Sequence, residues 1–567
     1  MLFRVKIFVI QHRFEVKNIQ RIKITKMRRT IETLFTKVQL TVIVTAFFMM
    51  GFVQSNAQKS DPREAVQKFT TAMQIIDFAY VDSTNAGKLV ETAIVEMLKE
   101  LDPHSAYIPK EEVEKVNEPL EGSFEGIGVT FQIFNDTILV ISPVPGGPSD
   151  KLGILAGDKI IKIEGEEATG KKINNQYVME RLRGKKGTTV NVSVKRGNKA
   201  KLIDFDIVRD KIPLTSIDAT YMADKEVGYI KLTRFSRTSM EEFRESVEKL
   251  KQTGMKDLIL DLRNNTGGYL DVAVSLSDEF LGENKLIVYT EGLKSPRQDF
   301  YSTVLGDFEK GRLIVLINES SASASEIVSG AVQDLDRGLV VGRRSFGKGL
   351  VQRPYKLPDG SMIRLTTARY HTPTGRCIQK PYDEGNEEYF KDFKKRVENG
   401  ELVSADSIHF PDSLKYYTPN GRTVYGGGGI MPDVFIPVDS TRFSDYYTDL
   451  VRKGIFNTYT MSYLDKNREK LLNKFKTLAT FKSGFEVTDE MFAEFEKTAI
   501  DEGIKKESTD KFDYPVKDLK LQIKAMIARN LWDVNAYFEI INELDTELQK
   551  AVGLLKDGQM FSDLKIH

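Results

Sequence analysis

Arg312-Leu-Ile-Val-Leu-Ile-Asn318, then Glu319-Ser-Ser-Ala-Ser-Ala-Ser-Glu326, then a helical run from Ile327 to Leu335, then Ser345-Phe-Gly-Lys-Gly-Leu-Val-Gln352: the rest of the chain is organised around this stretch. Residues 313–317 form an apolar, β-branched run of the kind found in a strand buried on both faces. Ile327, Val328, Ala331, Val332 and Leu335 recur at helical spacing. A serine cluster therefore sits on a sharp strand-to-helix turn, where unpaired backbone N–H groups and the positive end of a helix dipole suit a nucleophile. Taken alone, Ser323 with Glu326 three residues on is a capping box. The second half of the stretch adds chemistry. Lys348 lies between two glycines, which allow close backbone approach. Gln352 follows four residues later and shares a face with Lys348 if the segment is a strand. A hydroxyl, an amine and an amide with no histidine nearby make the pattern of a Ser–Lys hydrolase.

The stretch resembles the active-site region of the C-terminal processing peptidases, or tail-specific proteases, and further matches run from about Leu101 to Pro437. That resemblance implies an α+β multidomain chain. A PDZ domain would precede a mixed α/β peptidase core of the crotonase and Clp-protease kind, between helical N- and C-terminal regions. It places the nucleophile on Ser323 and its partners on Lys348 and Gln352. Asn264-Asn-Thr-Gly-Gly268 resembles the family's oxyanion loop, with Thr266 where the motif usually has proline. Gly267 and Gly268 both stay open as the donor, with Ala324 as its partner. The alternative is a βα loop that needs its glycines only to turn.

Length and composition bound the rest. A chain of 567 residues is too long for one core, and roughly three to four domains follow from typical domain size. Lys and Arg number 82 against 81 Asp and Glu, for a net charge of +1, which argues against a nucleic-acid partner. Cys377 is the single cysteine, so no internal disulfide forms, and it reads as a small buried hydrophobe. His12, His104, His371, His409 and His567 show no metal-ligand spacing, so neither a metal nor another cofactor is expected.

The expected divisions run in order. Residues 1–57 hold a leader and signal peptide. Lys26, Arg28, Arg29 and Lys37 precede the uncharged run Val38 to Val53, and Ser55-Asn-Ala57 offers a cleavage site. Met27 is an alternative start. Export to the periplasm or cell envelope follows, with a retained inner-membrane anchor as the alternative. Residues 58–118 are a helical region in which Pro103 ends a helix at Leu101-Asp-Pro-His-Ser-Ala-Tyr107, where His104 reads as a turn residue. Residues 119–210 resemble a PDZ domain. Its Gly126-Ile127-Gly128-Val129 loop would hold a terminal carboxylate, a helix is expected over 175–184, and Val129, Phe131, Val178 and Leu182 would line the groove. Residues 211–438 form the peptidase core, with 383–425 as a polar surface insertion. Residues 439–567 are amphipathic helices with a packing role, or a dock for an adaptor or a second copy.

The chemistry expected is peptide hydrolysis on protein or peptide substrates with a free C-terminus. A lysine titrates near ~10.4, so neutrality around pH 7–8 requires the charged form to be disfavoured by roughly 4 kcal/mol, which burial can supply. Two rivals compete. One is a non-catalytic PDZ scaffold of the envelope. The other is a Ser–His esterase or amidase that uses His371 or His104.

Overall fold

Strands Val227–Leu232, Asp257–Asp261, Leu313–Ile317, Leu339–Gly342 and Val434–Phe435 lie side by side and parallel, and Ile217–Met222 adds an antiparallel edge. The three inner strands carry Leu, Ile and Val without alternation because both faces of this sheet are covered. On one face, helices Ser239–Gln252, Leu270–Asp278 and Ala324–Asp334 bury Phe243, Leu276, Val328 and Val332 against Leu260 and Val315. On the other face, Leu548, Ala551 and Leu555 of helix Thr546–Asp557 pack on Tyr229, Ile259, Ile314 and Val341. The C-terminal helices are thus half of the wrapping of the peptidase sheet. The remainder of that region has its own core, with Phe481, Phe495, Ile523 and Ile527 at its centre.

The coordinates are a computed structural model that describes residues 61–566 apart from 135, 198–200, 304–305, 440–443 and 505–514, together with Met27. The expected signal segment, its cleavage site and His12 and His567 lie outside the described residues. The chain divides into two compact units, residues 1–92 and 93–567. Within the first, helix Pro62–Ala79 is capped by Asp61, whose carboxylate accepts from the Arg63 N–H at 2.9 Å, and it leaves Val66, Phe69, Ile76 and Phe78 exposed. No helix among the described residues is long and apolar enough to cross a membrane.

In the second unit, a two-stranded ribbon, Ser123–Gly126 with Asp210–Pro213, carries both chain connections of the PDZ domain. The PDZ strands run Val129–Phe134, Thr137–Pro143, Lys159–Ile163, Thr189–Lys195 and Ile203–Val208, with helix Asn175–Leu182. That helix stops at Leu182 rather than 184, and its N-cap is Asn174, whose side chain accepts from the Tyr177 N–H. Val178 and Leu182 are not open groove walls. They are buried in the domain's own core with Ile127, and the half-buried Val129 and Phe131 pack against that core.

An antiparallel sheet of Ala106–Ile108, Met362–His371, Leu286–Gly292 and Ser295–Tyr301 stands beside the parallel one, and Leu350–Lys356 joins it as the hairpin partner of Met362–His371. The segment 383–425 is not a surface insertion throughout. Tyr389 and Arg396 are each 3% exposed, because one hydrogen-bonds behind the active site and the other donates to the carbonyls of Ser345 and Phe346.

Candidate active site

The parallel strands end together, and the loops that leave three of them build the site. The first, Arg263–Tyr269, follows strand Asp257–Asp261. The second carries the serine cluster into helix Ala324–Asp334. The third follows Leu339–Gly342 and carries Lys348. A cleft of about 340 Å³ is lined by Gly267, Gly268, Ser323, Ala324, Lys348, Gln352 and Arg364, with Leu120, Ile327 and Met362 among its apolar walls. Neither His104 nor His371 lines it.

Ser323 is the residue before the helix and has φ of +54° with ψ of −111°, a conformation costly for a side chain with a Cβ. The surroundings hold it there. Its N–H donates to the Glu326 carboxylate at 2.8 Å, and the Glu326 N–H is taken by the Ser323 carbonyl at 2.8 Å. Ser323 lines the cleft from this strained position.

Glu326 does far more than cap. Fully buried, it also accepts from the Ser345 hydroxyl at 2.5 Å, the Gly347 N–H at 2.7 Å and the Lys348 N–H at 2.9 Å. One carboxylate therefore joins the nucleophile's loop to the lysine's loop. Burial pushes its pKa up against those hydrogen bonds. A second tie runs from the Phe346 N–H to the Ser321 carbonyl at 3.0 Å.

Lys348 donates from Nζ to Gln352 Oε1 at 3.1 Å. Four residues along an extended strand would span about 13 Å, so the expected shared face does not explain this contact. The strand begins only at Leu350, and its register shifts between Val351 and Gln352, which folds the amide back toward the amine. Burial, with Arg364 nearby, lowers the pKa of Lys348 to about 8 against a weaker opposing pull from Glu326 and Asp102. Gln352 in turn donates through Nε2 to the His104 carbonyl.

The Asp102-Pro-His-Ser105 turn explains why that carbonyl is in place. Asp102 accepts from the N–H groups of His104 and Ser105, from the Ser105 hydroxyl and from the Thr366 hydroxyl. The His104 ring contacts Tyr389 through Nε2 at 2.8 Å, and burial and the nearby Lys348 lower its pKa to about 4. His371 is stacked on Tyr289 with ring centroids 4.6 Å apart, and its Nδ1 lies 3.1 Å from the Gly375 carbonyl.

In the glycine loop, Asn265 accepts from the Gly267 N–H through Oδ1 at 2.9 Å. Its own carbonyl takes the Ala322 N–H at 3.0 Å and the Ser325 hydroxyl at 2.9 Å. The Gly267 amide is thus committed within the loop. Among the described residues, nothing takes the N–H of Gly268 or of Ala324. A Cβ on Gly267 (φ +104°) would meet Ser323 Cβ at 2.9 Å, and one on Gly268 would meet the Phe235 carbonyl oxygen at 2.1 Å, so both positions require glycine.

Beneath the loops lies an ionic cluster without a local sequence signal. Arg263 reaches Asp261 at 2.6 Å, Asp545 at 2.7 Å and Glu547 at 3.0 Å, and Arg343 reaches Glu319 at 2.9 Å and also Glu547. Arg263 roots the glycine loop, Glu319 the serine loop and Arg343 the lysine loop. Their one common acid, Glu547, lies in the first turn of helix Thr546–Asp557, nearly three hundred residues from Arg263.

In the PDZ domain, the Ile127 carbonyl accepts from the Ser149 N–H at 3.1 Å and the Ser149 hydroxyl at 2.7 Å, and the Gly128 carbonyl takes the Val144 N–H at 2.9 Å. Gly128 holds φ of +74°. Gly126 ends the connecting ribbon and pairs with Asp210.

Residues 226–385 match the model of peptidase family S41, residues 126–207 that of the PDZ domain, and residues 34–112 that of the activating protease CtpB N-terminal domain. Residues 446–533 match a family of unknown function. The chain is 37% identical over 317 residues to a carboxy-terminal-processing protease of Bartonella bacilliformis, covering 55% of this chain and 72% of that protein. It is 35% identical over 352 residues to a probable CtpA-like serine protease of Staphylococcus aureus, covering 61% of this chain and 70% of that protein. A solved photosystem II D1 C-terminal processing protease aligns over 65% of this chain and 92% of its own, with 25% identity and a TM-score of 0.34.

Proposed function

Because this chain belongs to peptidase family S41 and is a carboxy-terminal-processing serine protease with a PDZ domain, we propose that Ser323 is its nucleophile and Lys348 its general base. The observation that carries this is the buried amine of Lys348. It lines the same cleft as Ser323, hydrogen-bonds to Gln352 and has a pKa lowered to about 8. Neutral Lys348 takes the hydroxyl proton as Ser323 attacks the peptide carbonyl, then returns it to the leaving amine. Gln352, anchored on the His104 carbonyl, holds the amine in place, as an acid does for a catalytic histidine. The free N–H groups of Gly268 and Ala324 receive the oxyanion, each worth about 3 kcal/mol in such sites.

The PDZ domain selects the substrate's tail. The Gly126–Val129 loop takes the terminal carboxylate, and the strand beginning at Val129 adds the tail as one more strand. The protein acts in the periplasm or cell envelope after export by the segment that ends near Ala57, and its mature N-terminus lies near Gln58. Retention through an uncleaved anchor is the alternative outcome of N-terminal sequencing.

A covalent serine probe tests the dyad. It should label the native enzyme, fail on Ser323→Ala and label Lys348→Ala far more slowly, while His104→Ala and His371→Ala keep substantial turnover. Full activity in Lys348→Ala with loss in either histidine variant would overturn the assignment.

A further inference from the structure

Among the described residues, two cations line the catalytic cleft, Lys348 and Arg364, and no aspartate or glutamate does. Lys348 has its base role. Arg364 has none in the reaction as derived. It sits on strand Met362–His371, between Pro354 of the hairpin partner and Ala106 of the neighbouring strand. Its Nε is buried and has no hydrogen-bond partner. The carboxylates close enough to act on Lys348 are Asp102 and Glu326, and each already accepts four hydrogen bonds from other groups. Several other arginines of this unit are matched to acids. Arg376 meets Asp334 at 2.6 Å, Arg263 meets Asp261 at 2.6 Å, and Arg343 meets Glu319 at 2.9 Å. A guanidinium in an apolar-walled cleft with no acid beside it is costly unless something arrives to pair with it.

We propose that Arg364 binds a carboxylate of the substrate inside the catalytic cleft, either an acidic side chain flanking the scissile bond or the terminal carboxylate of a chain cut close to its end. This deepens the serine-protease reading and rests on Ser323 as nucleophile. The guanidinium fork suits a planar carboxylate and fixes its orientation as well as its charge. The apolar walls remove competing water and strengthen the pairing. The cleft thereby carries a selectivity of its own, separate from that of the PDZ domain. Carboxylate binding there also offsets the charge that faces Lys348, so a matched substrate meets a more basic amine than a neutral one does.

The test uses the full-length protein and short peptides cleaved at one bond. A glutamate-for-glutamine scan over the three residues on each side forms the first arm. A free against an amidated C-terminus forms the second. In the native enzyme, one arm should raise kcat/KM by roughly tenfold or more, the usual scale of a charge-assisted hydrogen bond. A lysine at the responsive position should fall below the neutral peptide. In Arg364→Gln the ratio between acidic and neutral peptides should collapse toward one, and in Arg364→Lys it should persist in part. A terminal-carboxylate preference that survives Arg364→Gln belongs to the PDZ domain; if the preference for an acidic side chain survives as well, or was never present, the proposal is overturned, as it is by a native enzyme indifferent to charge in both arms. The native charge series decides the matter even if the glutamine variant does not fold. Cleavage that survives in Ser323→Ala would instead sink the site itself.

Discussion

The underside of the catalytic loops and the cleft above them both bury cations, and they treat them in opposite ways. Below, Arg263 and Arg343 are shared among Asp261, Glu319, Asp545 and Glu547, all on or beside the same three strand ends. Burial alone would push Asp261 up, but Arg263 and Lys231 outweigh it and hold the carboxyl well below the usual carboxylate range. Above, Lys348 and Arg364 line a cleft without an acid, and Lys348 falls to about 8. A paired buried charge is locked in its charged form and serves geometry. An unpaired one is pushed toward neutrality and becomes reactive. The difference lies in the partner, since the depth of burial is similar.

The most direct way to break the comparison is to lock the upper cation. Lys348→Arg keeps a positive charge that cannot be released near neutral pH. Turnover should fall on the order of 10⁴-fold or more, as it should in Lys348→Ala and Ser323→Ala, because residues of such a unit do not act independently. Retained activity in the arginine variant would mean that the amine acts as a charge, not a base. The pH profile sharpens the same point. Since burial lowers the pKa of Lys348, the neutral base is scarce below pH 8 and dominant above it. The log of kcat/KM, which reports the free enzyme, should rise with unit slope and level off near pH 8. In the native enzyme, a plateau already reached by pH 6 would exclude Lys348 as the base.

The lower cluster should respond in stability before chemistry. Glu547→Gln removes the charge shared by Arg263 and Arg343. Breaking a fully buried pair costs about 3–5 kcal/mol, and with Glu547 13% exposed a loss of about 2 kcal/mol is the expected scale. Urea unfolding of the second unit should report it, with a smaller fall in kcat as the loop roots loosen. An unchanged midpoint would show that the cluster is solvent-screened ornament on the sheet. Above it, Gln352→Ala leaves the amine buried but unheld, and kcat should drop about tenfold while KM stays near its native value. An equal loss in KM would assign Gln352 to substrate binding.

How much of this was legible in the sequence follows from the range of each interaction. The buried strand 313–317 and the helix behind Ser323 are written in local pattern, and the structure has them. The candidate dyad was legible through its motif, although the expected strand geometry for Lys348 and Gln352 was wrong in detail. Glu326 was visible only as a cap, since its bonds to Ser345, Gly347 and Lys348 come from a segment some twenty residues on. Asp545 and Glu547 gave no signal. They look like an ordinary helix start, and their meaning arises only when the C-terminal helix lies against the sheet. Tyr389 and Arg396 sit in a polar stretch that composition places on the surface, yet each has one specific buried partner set. Arg364 was passed over because a single arginine in a strand is unremarkable until the surrounding acids are seen to be committed elsewhere.

The smallest expected effect belongs to His371, the histidine closest in sequence to the catalytic strands. Its ring lies flat on Tyr289 with an interplanar angle of 3°, and its Nε2 is 3.6 Å from Glu291, which leaves a weak, partly solvated contact. Its Nδ1 is engaged at the Gly375 carbonyl. Both nitrogens therefore face the turn and the neighbouring strand Leu286–Gly292, and the ring does not line the cleft although Tyr370 beside it does. A stacked aromatic pair contributes about 0.5–1.5 kcal/mol beyond its buried area, so His371→Ala should weaken the packing of strand Leu286–Gly292 on Met362–His371 by roughly that much. Turnover should stay within about twofold, because nothing in the proton path passes through the ring. His371→Phe, which keeps the stacking and removes both nitrogens, separates the two contributions. It should restore the stability lost in alanine and leave kcat at the native level. A loss beyond tenfold in both variants, with folding intact, would return the general base to a histidine and would erase the contrast between the paired and unpaired lysine and arginine sites on which the mechanism rests.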